Sequence, residues 1–216
     1  MLTLTEYYSR RAREYEQIYF RDDAVRQGEQ ETIASTIRRL FRDRRVLEIA
    51  CGTGFWTEKI STVVEYLCAV DASPEMLAIA RSKALPADKV EFRQGDAYAL
   101  DLVPGRFDAA VANFWFSHLP KSRVDEFLAA FHARLVPGAV VFMADNVYLP
   151  GIGGELIERP GVADTFKMRT LSDGSRQAVL KNYYSAAELK NILQRLVTDL
   201  KVHIGQCFWW ISYITA

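Results

Sequence analysis

The sequence predicts an α/β fold: a seven-stranded, mostly parallel sheet with an antiparallel last strand and helices on both faces. Three observations predict it. Between Val46 and Asp145, short apolar runs alternate with amphipathic stretches of helical length, the rhythm of a parallel sheet covered on both sides. The first of these runs, Val46-Leu47-Glu48-Ile49, opens into Ala50-Cys51-Gly52-Thr53-Gly54, a strand running through a tight glycine turn into a helix N-terminus. At the far end, two apolar runs are separated only by Gly205-Gln206, too short for a crossover, so they pair antiparallel.

The 216 residues, 50% hydrophobic and 25% charged, fit one domain with a sizeable core. The formal net charge of +0 gives no basic surplus for a nucleic-acid backbone, although a local patch can hide in a balanced total. No apolar run reaches membrane-spanning length, and residues 1–21 lack the apolar core of a signal peptide. Cys51, Cys68 and Cys207 are widely spaced, as expected of reduced thiols in a cytoplasmic protein and not of a metal site. Neither nucleic acid nor membrane is an expected partner, and the oligomeric state is not legible.

Residues 3–20 read as a helix. Tyr8, Tyr15 and Tyr19 share a face, either as an aromatic stripe docked on the core or as a lid whose hydroxyls reach a ligand; both can hold together. A second helix is expected over 24–42, capped by Asp22 or Asp23, with Ile33, Ile37, Leu40 and Phe41 at helical spacing. The first strand is 45–50, and its following helix 54–64. The second strand, 67–70, ends at Asp71. Ser73-Pro74-Glu75 then starts a helix to about Ala84 with a cap, a first-turn proline and an acid on the positive end of the dipole. Strands follow at 90–93, 107–112 and 139–144, with a helix at 121–135 between the last two. Residues 146–165 read as an irregular loop rich in Gly and Pro. Residues 166–183 read as a hairpin turning at Asp173-Gly174. Ser185-Ala186-Ala187-Glu188 is a capping box for a helix to about Leu196, and strands at 199–204 and 207–215 close the chain.

Ligands of open α/β sheets bind beyond the carboxyl ends of the strands. The residues there are Glu48 with Gly52 and Gly54, then Asp71, Asp96, Asn113 and Asp145. A carboxylate at Asp71 can accept from two vicinal ribose hydroxyls. Asp96, with the backbone N–H of Ala97, can read an adenine edge. A dinucleotide turn needs a third glycine, but Thr57 stands three past Gly54, with bulky Phe55 and Trp56 between. A nucleoside carrying an amino-acid tail fits better.

The ordered set Glu48-x-x-Cys51-Gly52-Thr53-Gly54, Asp71-Ala72-Ser73-Pro74-x-Met76-Leu77, Gly95-Asp96-Ala97, Phe107-Asp108 through Asn113, and Leu135-Val136-Pro137-Gly138-Ala139 resembles the class I S-adenosylmethionine-dependent methyltransferases. The match covers about 46–145. The resemblance implies a Rossmann-like fold, S-adenosylmethionine as the cofactor, and a small-molecule methyl acceptor. It implies that Glu48, Ala50, Gly52 and Gly54 hold the methionine portion, and that Asp71, with Ala72, binds the ribose. Met76 would lie on the adenine, Asp96 and Ala97 at its edge, and Asn113 and Phe114 near the amine and methyl group. Tyr15 or Tyr19 would reach the carboxylate. Ala50 stands where many relatives have glycine, which is tolerable if the backbone stays extended. The domain layout expected is a single methyltransferase domain over 1–216. Residues 1–44 form a helical lid, 45–145 the cofactor core, 146–184 an acceptor cap, and 185–216 the closing helix and strand pair.

Methyl transfer is an in-line displacement in which positioning and desolvation supply most of the acceleration. His118, just past the fourth strand, is the candidate base or substrate contact, against a structural or cofactor-side role; His132 and His203 read as structural. Tyr8, Phe114, Trp115 and Tyr148 are the candidate acceptor-pocket residues, an aromatic set suited to a planar or apolar molecule. Arg169 and Lys181 can pair with an anionic acceptor, against the ordinary reading of hairpin cations as solvated. Asn113-Phe114-Trp115-Phe116 replaces the Asn-Pro-Pro-Tyr typical of relatives that methylate nucleic-acid bases. Two other readings are a non-catalytic S-adenosylmethionine binder and a nicotinamide oxidoreductase.

Overall fold

The computed structural model describes residues 2–171 and 173–216. Met1 and Ser172, which fall in the expected lid and hairpin turn, lie outside the described residues. In chain order the elements are α1 (Leu4–Arg11), a 3-10 segment (Ala12–Ile18), α2 (Ala24–Leu40), β1 (Arg45–Ile49), α3 (Phe55–Ile60), β2 (Tyr66–Asp71), α4 (Pro74–Arg81), β3 (Val90–Gln94) and β4 (Phe107–Asn113). There follow α5 (Val124–His132), β5 (Leu135–Asn146), β6 (Leu156–Ile157), β7 (Phe166–Thr170), β8 (Arg176–Leu180), α6 (Ala186–Leu193), β9 (Val197–Ile204) and β10 (Phe208–Thr215).

Seven strands form one sheet in the order β3-β2-β1-β4-β5-β10-β9. The pairs from β3 to β5 are parallel, and β10 runs antiparallel to both neighbours. Because side chains alternate along a strand, Val46, Ala109 and Phe142 face one way while Leu47, Ala110 and Val141 face the other. The first set packs with Ile33 and Ile37 of α2 and Trp56 and Ile60 of α3. The second packs with Phe127 and Phe131 of α5 and Leu189 and Leu193 of α6.

The chain steps outward from β1 through β2 to β3, then returns to lay β4 and β5 on the other side. The reversal between β1 and β4 is the switch point at which open α/β sheets carry their ligands. The chain must leave both strands sharply there. Ala50 has φ 54° and Phe114 has φ 59°, left-handed conformations that L-residues adopt at a cost. The backbone at Ala50 is therefore not extended, correcting the condition under which its methyl group was expected to be harmless.

Two other departures have physical causes. The helix expected over 3–20 is α only to Arg11, and then tightens into the 3-10 segment. Tertiary ties hold that segment: Thr53 Oγ1 donates to Glu16 at 2.7 Å, and Tyr19 stacks on Phe55 at 3.8 Å. The loop expected over 146–165 contains the two-residue strand β6, too short for a periodic signal, which pairs with β7. With β8 these form a second, antiparallel sheet that packs on α1, where Leu171 and Val179 meet the buried Tyr7. Among the described residues, no helix is long and apolar enough to cross a membrane.

Replacing Ala50 by glycine removes the left-handed strain. The Ala50→Gly variant is expected to be more stable by about 1 kcal/mol, read as a higher midpoint in urea unfolding. An unchanged or lower midpoint contradicts the strain argument.

Candidate functional site

Asp71, at the end of β2, organises the loops above the switch point. Its Oδ2 accepts from the backbone N–H of Gly52 at 2.8 Å, and its Oδ1 from that of Ser73 at 2.8 Å. Its own carbonyl accepts from Gly95 N–H at 3.0 Å. One residue thus links the loops after β1, β2 and β3. Burial raises the Asp71 carboxyl above its usual range, and the N–H donors oppose the rise. Each carboxylate oxygen keeps a free lone pair for a further donor. Ser73, held in this way, caps α4 by accepting from Met76 N–H at 3.2 Å. At the end of β3, Asp96 Oδ1 accepts from Tyr98 N–H at 2.9 Å.

These loops and the N-terminal segment enclose a cleft of about 690 Å³, within the size range of small-molecule sites. Its floor is Ala50 to Thr53. Asp71, Ala72, Ser73 and Met76 form one wall, with Asp96 and Ala97 beside them. Asn113, Phe114 and Trp115 form the facing wall, and Tyr8, Tyr15 and Tyr19 the roof. The structure thus brings together most of the residues singled out in the sequence. It sets three of them off the cleft wall. Gly54 packs behind the turn, where an added Cβ would lie 3.2 Å from Ala80 Cβ. Tyr148 stands half exposed against Tyr183, ring centroids 5.2 Å apart. Glu48 is buried beneath the floor, accepting from Thr57 Oγ1 at 2.6 Å.

The Asn113 side-chain amide is 6% exposed, and neither its oxygen nor its nitrogen has a hydrogen-bond partner; Trp115 Nε1 is also without one. Buried amides are almost always satisfied. Two unmet groups on one cleft wall mark where a polar ligand belongs.

His118 stands at the inner end of the cleft. Its Nδ1 lies 2.8 Å from the Leu180 carbonyl, which can only accept, so Nδ1 carries the proton. Nε2 then accepts from the Tyr8 hydroxyl, also at 2.8 Å. Burial and then the Lys181 charge hold His118 well below the usual histidine range, with Asp145 opposing. It is a neutral, weakly basic imidazole. His132 bonds the Tyr213 hydroxyl at 2.8 Å, and His203 stacks on Trp210 at 3.8 Å, both away from the cleft. Asp145 is fully buried and spends its oxygens on Ser117, Asn146 and Lys181.

Past Tyr8, Tyr15, Tyr19, Phe114 and His118, the space continues into a second compartment of about 110 Å³. It is closed by α2, the loop after β5 and the small sheet. Sequence reasoning missed several wall residues. Trp56 and Arg123 line the cleft, Arg123 lying over the Tyr98 ring at 3.6 Å; Arg11, Arg21 and Arg26 line the second compartment. Taken one by one along the chain, these residues carry no signal that they share a wall.

The family model described as a methyltransferase domain matches residues 46–138. An uncharacterized methyltransferase of Bacillus cytotoxicus is 32% identical over 104 residues, 48% of each chain. The ubiquinone biosynthesis O-methyltransferase of Azotobacter vinelandii is 30% identical over 103 residues, 47% of this chain and 44% of that one. The chain spans about half the length of the curated relatives it matches. Among solved structures, the DhpI complex with SAH is 30% identical with a TM-score of 0.73, covering 97% of this chain and 94% of that one. The DhpI complex with SAM and HEP is 28% identical with a TM-score of 0.74, covering 99% of both.

Burial, reinforced by the Asp71 charge, raises the Glu48 carboxyl to about 8, against the Thr57 hydrogen bond and Lys83. Between its ordinary value of 4.5 and about 8, the folded chain holds a proton that the unfolded chain has released. That contribution to stability is full below the ordinary value and is lost as pH rises through the window. The Glu48→Gln variant keeps an acceptor for Thr57 and has no proton to lose. Its stability relative to the parent is expected to improve from pH 5 to pH 8 in urea unfolding; parallel profiles contradict the assignment.

Proposed function

Because the chain belongs to the class I S-adenosylmethionine-dependent methyltransferases, we propose that it transfers a methyl group from S-adenosylmethionine to a small-molecule acceptor held in the second compartment. The observation that carries this reading is the unsatisfied Asn113 amide facing Asp71 and Asp96 across a cleft of about 690 Å³ at the sheet's switch point. S-adenosylmethionine, when bound, supplies an electrophilic methyl group on a sulfonium.

On this reading Asp71 accepts from the ribose hydroxyls with the lone pairs that Gly52 and Ser73 leave free. Ala72 and Met76 pack against the nucleoside, and Asp96 and Ala97 read the adenine edge. Asn113 meets the amine of the methionine end. Ala50 and Gly52 let the floor approach it, while Gly54 and Glu48 act from behind by shaping the turn. The hydroxyls of Tyr15 and Tyr19 close over the carboxylate, which makes residues 1–44 a lid and 146–184 the cap over the acceptor.

The chain's own groups hold and orient the acceptor and exclude water. The Tyr8 hydroxyl donates a hydrogen bond to His118 Nε2 and lines both compartments, so its oxygen remains able to accept from an acceptor's O–H or N–H. His118 is a weak base, so positioning contributes more than proton removal. Tyr8 and Phe114, which line both compartments, fit an acceptor-pocket role; Trp115 lines the cleft alone, and Tyr148, turned to Tyr183, lines neither.

The test is isothermal titration with S-adenosylmethionine and S-adenosylhomocysteine, with reduced nicotinamide dinucleotide as the control, followed by a methyl-transfer assay on a metabolite pool. One-to-one binding of both adenosyl ligands, no binding of the control and a methylated product are expected. Failure to bind the adenosyl ligands overturns the reading, and binding without product leaves a non-catalytic binder. The Asp71→Asn variant is expected to lose about 1.5–3 kcal/mol of affinity for S-adenosylhomocysteine, the size of a charged hydrogen bond. Unchanged affinity removes Asp71 from the ribose.

A further inference from the structure

The second compartment differs in chemistry from the cleft. Five cations line it: Arg11 of α1, Arg21 beyond the 3-10 segment, Arg26 of α2, Arg169 of β7 and Lys181 just past β8. Among the described residues, no carboxylate lines it. Three of the cations have partners set back from the wall: Arg11 with Glu14 at 3.3 Å, Arg26 with Asp23 at 3.8 Å and Lys181 with Asp145 at 2.8 Å. Among the described residues, neither Arg21 nor Arg169 has a carboxylate within 4.0 Å. Two positive charges are left uncompensated in a chain whose formal net charge is +0.

Arg21 is exposed at the outer edge of this wall and Arg169 is half-buried, while the paired cations lie deeper. Arg26 is 7% exposed and Lys181 4%. Gln30, on the same wall, is 9% exposed, and its side-chain nitrogen has no hydrogen-bond partner. It adds an unmet donor to a set that already holds only donors from lysine and arginine. Gly153 has φ +72°, and a Cβ there would overlap an Arg169 guanidinium nitrogen, so the loop backbone packs directly against that arginine. The cations also strain one another. Arg21 is held below the usual arginine range, first by partial desolvation and then by the charges of Arg26, Arg169 and Arg11, with Asp23 opposing.

We propose that this compartment binds the dianionic phosphoryl end of a small acceptor, placing the acceptor's nucleophile against Tyr8 and His118. Two uncompensated charges match a dianion better than a carboxylate, and planar guanidinium forks suit phosphoryl oxygens. Of the aromatic set expected from the sequence, only Tyr8 and Phe114 line this compartment. The orientation of the nucleophile rests on the methyl-transfer reading; the anion site stands on its own wall.

The test is isothermal titration of the full chain, free and saturated with S-adenosylhomocysteine, with inorganic phosphate, acetate and glycerol as probes. Phosphate is expected to bind one to one and about tenfold tighter than acetate, with no binding of glycerol. Arg21→Gln and Arg169→Gln, both outside the cofactor cleft, are each expected to weaken phosphate by about tenfold and to leave S-adenosylhomocysteine affinity unchanged. Gly153→Ala keeps every charge but crowds Arg169, and is expected to weaken phosphate as well. Absence of phosphate binding, equal affinity for acetate, or unchanged phosphate affinity in the folded variants overturns the proposal. Loss of S-adenosylhomocysteine binding alone overturns the methyl-transfer reading instead, because the phosphate titration is read on the free protein.

Discussion

The cleft depends on one residue, Asp71, whose carboxylate and carbonyl fasten three consecutive strand-end loops. Gly52 N–H, Ser73 N–H and Gly95 N–H all converge on it. Two of these are hydrogen bonds to a carboxylate in a largely buried setting, each of the stronger, charge-assisted kind. They hold the turn after β1 in a shape that needs left-handed backbone at Ala50, Gly52 and Gly54. Without that anchor, the turn loses its reason to stay strained, α4 loses its cap, and floor and wall lose their relative position.

A division of charge is built on this frame. The cleft side carries Asp71 and Asp96 and receives, on the proposed reading, a sulfonium cation. The far side carries the arginines and Lys181. Between them lies an aromatic band of Tyr8, Tyr15, Tyr19 and Phe114, with a neutral imidazole at His118. The buried Lys181–Asp145 pair ties the chain just past β8 to the end of β5.

Much of the fold was legible because local signals and tertiary structure agree. The alternating runs from Val46 to Asp145, the cap at Ser73 with Pro74 behind it, the capping box at Ser185 and Glu188, and the short Gly205-Gln206 link all lie where those patterns put them. Legibility failed where tertiary contacts overrode local preference. Tyr19 on Phe55 and Thr53 on Glu16 tighten the first helix, and β6 exists only through its partner β7. Ala50 has nothing in its neighbours that announces a left-handed backbone. The cleft was legible because its residues follow strand ends in chain order. The basic compartment was legible only in Arg169 and Lys181, read as able to pair with an anionic acceptor; Arg11, Arg21 and Arg26 come from separate elements and cancel in the overall charge.

The most direct measurement is a crystal structure of the chain with S-adenosylhomocysteine. The adenosine is expected beside Asp71 and Asp96, with the Asp71 carboxylate accepting from the ribose hydroxyls while still holding Gly52 N–H and Ser73 N–H, and with the Asn113 amide satisfied by the ligand. A nucleoside seated elsewhere, or an Asp71 that must release its backbone donors to reach the ribose, contradicts that placement.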